Sequence, residues 1–123
     1  MKYTGLELSA IVKLATAMIL ADGKIEESEQ TALTMEMLKF GIKQDDLNSI
    51  LATTQTLDYS YAITIVSAMD VEQKKYVTGF LAFIMASDGE IASSEIETWR
   101  LISTLAQLPT MTVLEALNFW NNH

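Results

Sequence analysis

Asp22-Gly23-Lys24-Ile25-Glu26-Glu27-Ser28-Glu29 and Asp88-Gly89-Glu90-Ile91-Ala92-Ser93-Ser94-Glu95 are two copies of one pattern, Asp-Gly-x-Ile-x-x-x-Glu. Each copy follows an apolar stretch with helical spacing and precedes a second such stretch. The match runs outward from the octapeptides at a constant offset of 66 residues: Leu14, Met18 and Ile19 align with Phe80, Ile84 and Met85, and Leu33 and Ile42 align with Trp99 and Leu108. An ungapped offset held over about thirty residues is the mark of a duplicated helix–loop–helix. The expected copies cover residues 6–42 and 72–108.

Within each octapeptide the chemistry is that of a turn leading into a helix. Gly tolerates the positive φ that stops the preceding helix, and Asp can bond its own backbone two residues on. Ile25 and Ile91 are the apolar residues of these turns, which directs them inward. The next helix then starts near Glu26 and near Ala92, with Glu29 and Glu95 in its first turn. Their spacing from the cap position is that of a capping box, but neither cap is Ser or Thr. A carboxylate there is favoured by the free N–H groups and the helix dipole.

A chain of 123 residues fits one domain, 1–123. The surface scaling rule gives about 6,600 Å² when folded, about a third of the extended surface, so a sizeable core is available. Half of the residues are hydrophobic and only 20% are charged, which argues against disorder. The chain has no cysteine, which excludes disulfide and thiolate chemistry and makes the cytoplasm the default location. No signal peptide is evident before the first Asp-Gly turn, and the uncharged apolar run from Val77 to Ser87 is too short for a transmembrane span. Direct membrane insertion is not expected. A net charge of −8 repels nucleic acid and favours cations or a protein partner with a basic surface.

Periodicity predicts helices over residues 5–21, about 27–40, 42–53, 59–68, 71–87, 93–107 and 113–121. Asp58 or Ser60 can cap the fourth. Asp70 with Gln73, and Thr112 with Glu115, form capping boxes for the fifth and seventh. Thr53-Thr54-Gln55-Thr56 is read as the turn after the third helix, and Leu47, Ile50 and Leu51 as its inward face. On the sixth, Ile96, Trp99, Leu101, Ile102 and Leu105 are expected to pack. Gly79 inside a helix suggests close approach of another backbone. Phe119 and Trp120 are neighbours that cannot both face fully inward, so one of them is expected to graze the surface. The fold class is all-α, with about seven helices in one domain.

Against a calcium-binding loop, each octapeptide matches only the back half. The first liganding positions would be Met18 and Leu20, or Ile84 and Ala86, none of which offers side-chain oxygen. A single loop is too sparse, but two loops facing each other would gather Asp22, Glu26, Glu29, Asp88, Glu90 and Glu95. For Asp22 and Asp88 the ordinary role is turn-former, and for Glu29 and Glu95 it is the helix cap; the further role of all four is a divalent-metal site for Ca²⁺, Mg²⁺ or Mn²⁺. Glu26 and Glu90 read as solvated surface. His123 is the only histidine, and there is no glycine-rich phosphate loop or nucleophile elbow. A binding or scaffold module is therefore expected rather than an enzyme. The alternative is a small hydrolase-like enzyme using the clustered carboxylates with a divalent metal.

The paired Asp-Gly-x-Ile-x-x-x-Glu motifs in an all-helical acidic chain resemble the tellurite-resistance TerB family and the wider TerB-like superfamily, over about Leu6 to Phe119. The resemblance implies about seven helices with the two loops near one another. It also implies that Asp22, Asp88, Glu29 and Glu95 belong to an acidic surface proposed in that family to bind divalent metal. Family members are linked to stress-response assemblies, sometimes near membranes, and related domains occur in a membrane-anchored J-domain co-chaperone. The hydroxyl often found at the cap position is replaced here by Glu26 and Ala92.

Overall fold

The computed structural model describes residues 3–20, 44–87 and 91–122. These residues form six helices: α1 Gly5–Ile19, α2 Gln44–Thr56, α3 Tyr59–Ser67, α4 Val71–Ala86, α5 Ser93–Leu105 and α6 Val113–Asn121. No strand occurs among the described residues. The helix expected over residues 27–40 lies outside them, as do the first octapeptide and Asp88-Gly89-Glu90 of the second.

Local capping sets most of the helix starts. Asp70 Oδ1 accepts from the Gln73 N–H at 2.8 Å and Gln73 Oε1 accepts from the Asp70 N–H at 3.2 Å, as the sequence predicts. Thr112 and Glu115 close the same box at 3.1 and 3.0 Å, and these bonds to the Thr112 backbone and hydroxyl hold the Glu115 carboxyl below the ordinary glutamate range. Asp58 caps α3 by accepting from the Tyr61 N–H at 2.7 Å. One box was not anticipated: Thr4 accepts from the Glu7 N–H at 3.1 Å while Glu7 accepts from the Thr4 N–H at 2.8 Å. Thr4 and Asp70 are themselves 66 residues apart, so the repeat reaches back to the N-caps of α1 and α4.

The buried side chains form one cluster drawn from α1, α3, α4, α5 and α6. Its centre is α1, which packs against α2, α3, α4 and α5. The aligned sets Leu14, Met18, Ile19 and Phe80, Ile84, Met85 are all buried. In the first half α1 packs on α2, and in the second α4 packs on α6, again in the register of the repeat. The accessible surface, 6766 Å², is close to that expected for a folded chain of this length.

Gly79 is the contact point of α4 and α6. A Cβ built there would lie 3.1 Å from the Ala116 carbonyl oxygen and 3.2 Å from Trp120 Cβ, so the expected close approach is realised. Around it Trp120 lies against Tyr76, Phe80 and Phe83, with ring centroids 5.9, 5.7 and 6.0 Å apart, and Phe119 meets Tyr76 edge-on at 5.5 Å. Phe119 and Trp120 thus share a half-buried boundary, neither fully inward nor fully exposed. The phenol of Tyr3 donates to the Gln73 carbonyl at 3.1 Å; burial, with the Asp70 and Glu7 carboxylates behind it, raises its pKa.

Several expectations are corrected. Thr53 to Thr56 are helical rather than a turn, because their hydroxyls bond back into the helix: Thr53 donates to the Ser49 carbonyl at 3.0 Å and Thr54 to that of Ile50 at 2.8 Å. Thr54 is buried and also donates to the Ser9 carbonyl at 3.4 Å, while Ser9 donates to that of Ile50 at 3.4 Å, a reciprocal hydroxyl contact between α1 and α2. Leu51, expected inward, is exposed, as are Leu101 and Leu105 on α5 and Leu6 on α1. Helical spacing alone does not say how wide the buried stripe is; here Ile50, Trp99 and Ile102 fill it. Lys13, a charge within the apolar pattern of α1, is half-buried with its ammonium 4.7 Å from the Tyr59 ring centroid.

Candidate functional site

The second octapeptide enters the described structure at Ile91, half-buried and packed against the core as its place in the loop predicts. Ala92 follows as the N-cap of α5, with an extended backbone (φ −71°, ψ 145°) and no side-chain cap bond. Glu95 supplies the returning half of a capping box: its Oε1 accepts from the Ala92 N–H at 3.3 Å. This carboxylate is only 2% exposed, the most buried acidic side chain among the described residues, and its Oε2 also faces inward. Asp22, Glu29 and Asp88, together with Glu26 and Glu90, lie outside the described residues, so of the four predicted metal ligands the structure places Glu95 alone. Among the described residues no three His, Cys, Asp or Glu side chains converge as a metal cage.

Burial of Glu95 follows from the way α5 is anchored. Trp99, one turn further along and on the same face, is buried and donates its indole N–H to the Thr78 carbonyl at 3.4 Å on α4. Helical positions four apart lie above one another, so the face that seats Trp99 also carries Glu95 inward. The spacing of Glu95 and Trp99 in the sequence carries this signal, beyond the cap role that Glu95 also fills.

A second feature was not anticipated. The α5 helix ends in a Schellman turn: Gln107 takes φ 55°, its N–H bonds to the Thr104 carbonyl at 3.3 Å, and the Leu108 N–H bonds to that of Ser103 at 2.8 Å. Pro109 then leads the chain away to Thr112, where α6 begins. Between the end of α5 and the start of α6 this leaves an open cleft of about 650 Å³, with Trp99, Leu108 and Met111 on its apolar side and Arg100 and Glu115 among its polar residues. No helix among the described residues is long and apolar enough to cross a membrane.

Comparison with known proteins agrees with this architecture. The family model described as tellurite resistance protein TerB matches residues 8–117, from the first turn of α1 into α6. A crystal structure of a protein of unknown function from Porphyromonas gingivalis superposes with a TM-score of 0.89, at 47% identity, over 99% of this chain and 92% of that one. No curated protein matches the chain. With its repeat, its all-α core and a family match over nearly its full length, the chain belongs to the TerB family of tellurite resistance proteins.

Proposed function

We propose that the protein is a non-enzymatic binding or scaffold module whose working surface is the pair of acidic Asp-Gly loops, weakly binding a divalent cation and engaging a basic protein partner in a stress-response setting. The observation that carries this reading is Glu95: a carboxylate 2% exposed, fixed at the foot of the second loop by its bond to the Ala92 N–H. Asp22, Glu29 and Asp88 are the residues that would join Glu95 in holding Ca²⁺, Mg²⁺ or Mn²⁺, since hard cations take carboxylate oxygens. A bound ion would supply charge neutralisation between the loops. The net charge of −8 supports a basic partner surface independently of any metal.

The test is a titration with each cation followed by amide shifts, beside affinity capture with wild type and the D22A/D88A double variant. Shifts confined to the two loops, and a partner kept by wild type and lost by the folded double variant, are the expected results. Shifts spread evenly over surface carboxylates would leave only counter-ion screening. The hydrolase-like alternative would displace this reading if purified protein turned over substrate in a metal-dependent way while capturing no specific partner.

A further inference from the structure

The cleft at the far end of α5 is a site of different character from the loops. Ser103, on its wall, is eight residues from Glu95, about 12 Å along the helix axis at the usual rise. It opens because α6 is committed to α4 through the Gly79 crossing, while the Schellman turn and Pro109 carry the chain out before it returns. Its volume, about 650 Å³, falls in the range of small-ligand and side-chain pockets.

The donors and acceptors on its walls select the occupant. The Ser103 and Thr104 hydroxyls donate to the Trp99 and Arg100 carbonyls at 2.8 and 3.0 Å, so their protons are spent within α5. Glu115 has Oε1 engaged by the Thr112 N–H at 3.0 Å. The remaining polar side chains on the lining are those of Gln107, Thr110 and Arg100, and the cation among them is Arg100, the single arginine of the chain, exposed at the cleft wall and in no ion pair among the described residues. A guanidinium presents a planar fork of donors matched to a carboxylate, and here it shares the cleft with half-buried Met111, behind which Trp99 and Leu108 are buried.

We propose that this cleft binds the C-terminal end of a polypeptide, its terminal carboxylate on Arg100 and an apolar last side chain against Leu108 and Met111. The −8 charge of the chain would repel an acidic peptide, so the occupant carries basic residues upstream of its apolar end. This rests on the reading of the chain as a module for a basic protein partner, and assigns that partner a second point of contact.

The probe is an acetylated pentapeptide of two lysines, two alanines and a C-terminal leucine, compared with its C-terminal amide and with hexanoate, by amide-shift titration of the full chain. The free acid is expected to shift Arg100, Gln107, Leu108 and Met111. Binding should weaken about tenfold for the amide and for Arg100→Gln, and persist in D22A/D88A. Because Arg100 is exposed, R100Q is expected to keep the wild-type far-UV spectrum. Equal binding of acid and amide, an unchanged R100Q, or hexanoate binding as tightly as the peptide would overturn the proposal. Shifts located at the loops and lost in D22A/D88A would overturn it too while leaving the loop reading intact.

Discussion

Ala92 is an N-cap without the side-chain acceptor that Thr4, Asp58, Asp70 and Thr112 supply at theirs. Its backbone is already extended and Glu95 already reaches back to its N–H, but there is no hydroxyl to accept from the Glu95 N–H, which bonds instead to the Ala92 carbonyl at 3.1 Å. At Thr4 and Thr112 both halves of the box are closed. Ala92→Ser should close it here, with a gain of about 0.5–1 kcal/mol. Chemical denaturation of the two proteins measures this; an unchanged midpoint would mean that the Glu95 bond already saturates the cap. Glu95 also marks the limit of reading a residue from its local sequence. Its place in the first turn of α5 was legible from spacing to Ala92, whereas its burial depends on where Trp99 docks on α4, a tertiary fact.

The same division separates the elements that could be read from those that could not. The starts of α3, α4 and α6 were legible because Asp58, Asp70 and Thr112 act on N–H groups three residues away. The Thr4 box carries an equal signal, Thr-x-x-Glu, and acts over the same three residues. The end of α2 was not legible: a run of threonines has low helix propensity, and only the burial of Thr54 against Ser9 of α1 makes the last turn favourable. Gly79 tests the opposite case, a local weakness foreseen with its tertiary reason. Leu at this position gains helix propensity of about 0.8 kcal/mol but must displace the Ala116 carbonyl and the Trp120 Cβ, which are fixed to the α6 backbone. Gly79→Leu should therefore separate α6 from α4 at a net cost of about 2 kcal/mol or more. The measurement is the thermal midpoint together with the fluorescence of Trp120, which should shift to the red as its rings of contact on α4 are lost.

At the scale of the whole molecule the question is whether a duplicated chain behaves as two units or one. The repeat is written into the helix caps, the buried triads and the α1–α2 and α4–α6 pairings, yet α1 of the first half packs on α4 and α5 of the second, and the buried side chains form one cluster. A core shared in this way cannot lose one half and keep the other. The two tryptophans make this testable, because Trp99 and Trp120 both belong to the second half while helical ellipticity reports on both. Unfolding followed by tryptophan fluorescence and by ellipticity should coincide, as two-state behaviour requires. Leu14→Ala is the sharper experiment. Leu14 lies in the middle of α1, is 1% exposed, and is distant in sequence from either tryptophan. Its truncation leaves a cavity in the core and should cost about 2–5 kcal/mol. If the halves are one cooperative unit, the tryptophan transition moves down with the ellipticity transition by the same amount. If the halves were independent, Leu14→Ala would split the curves, with helix lost early and the tryptophan signal left at its wild-type midpoint.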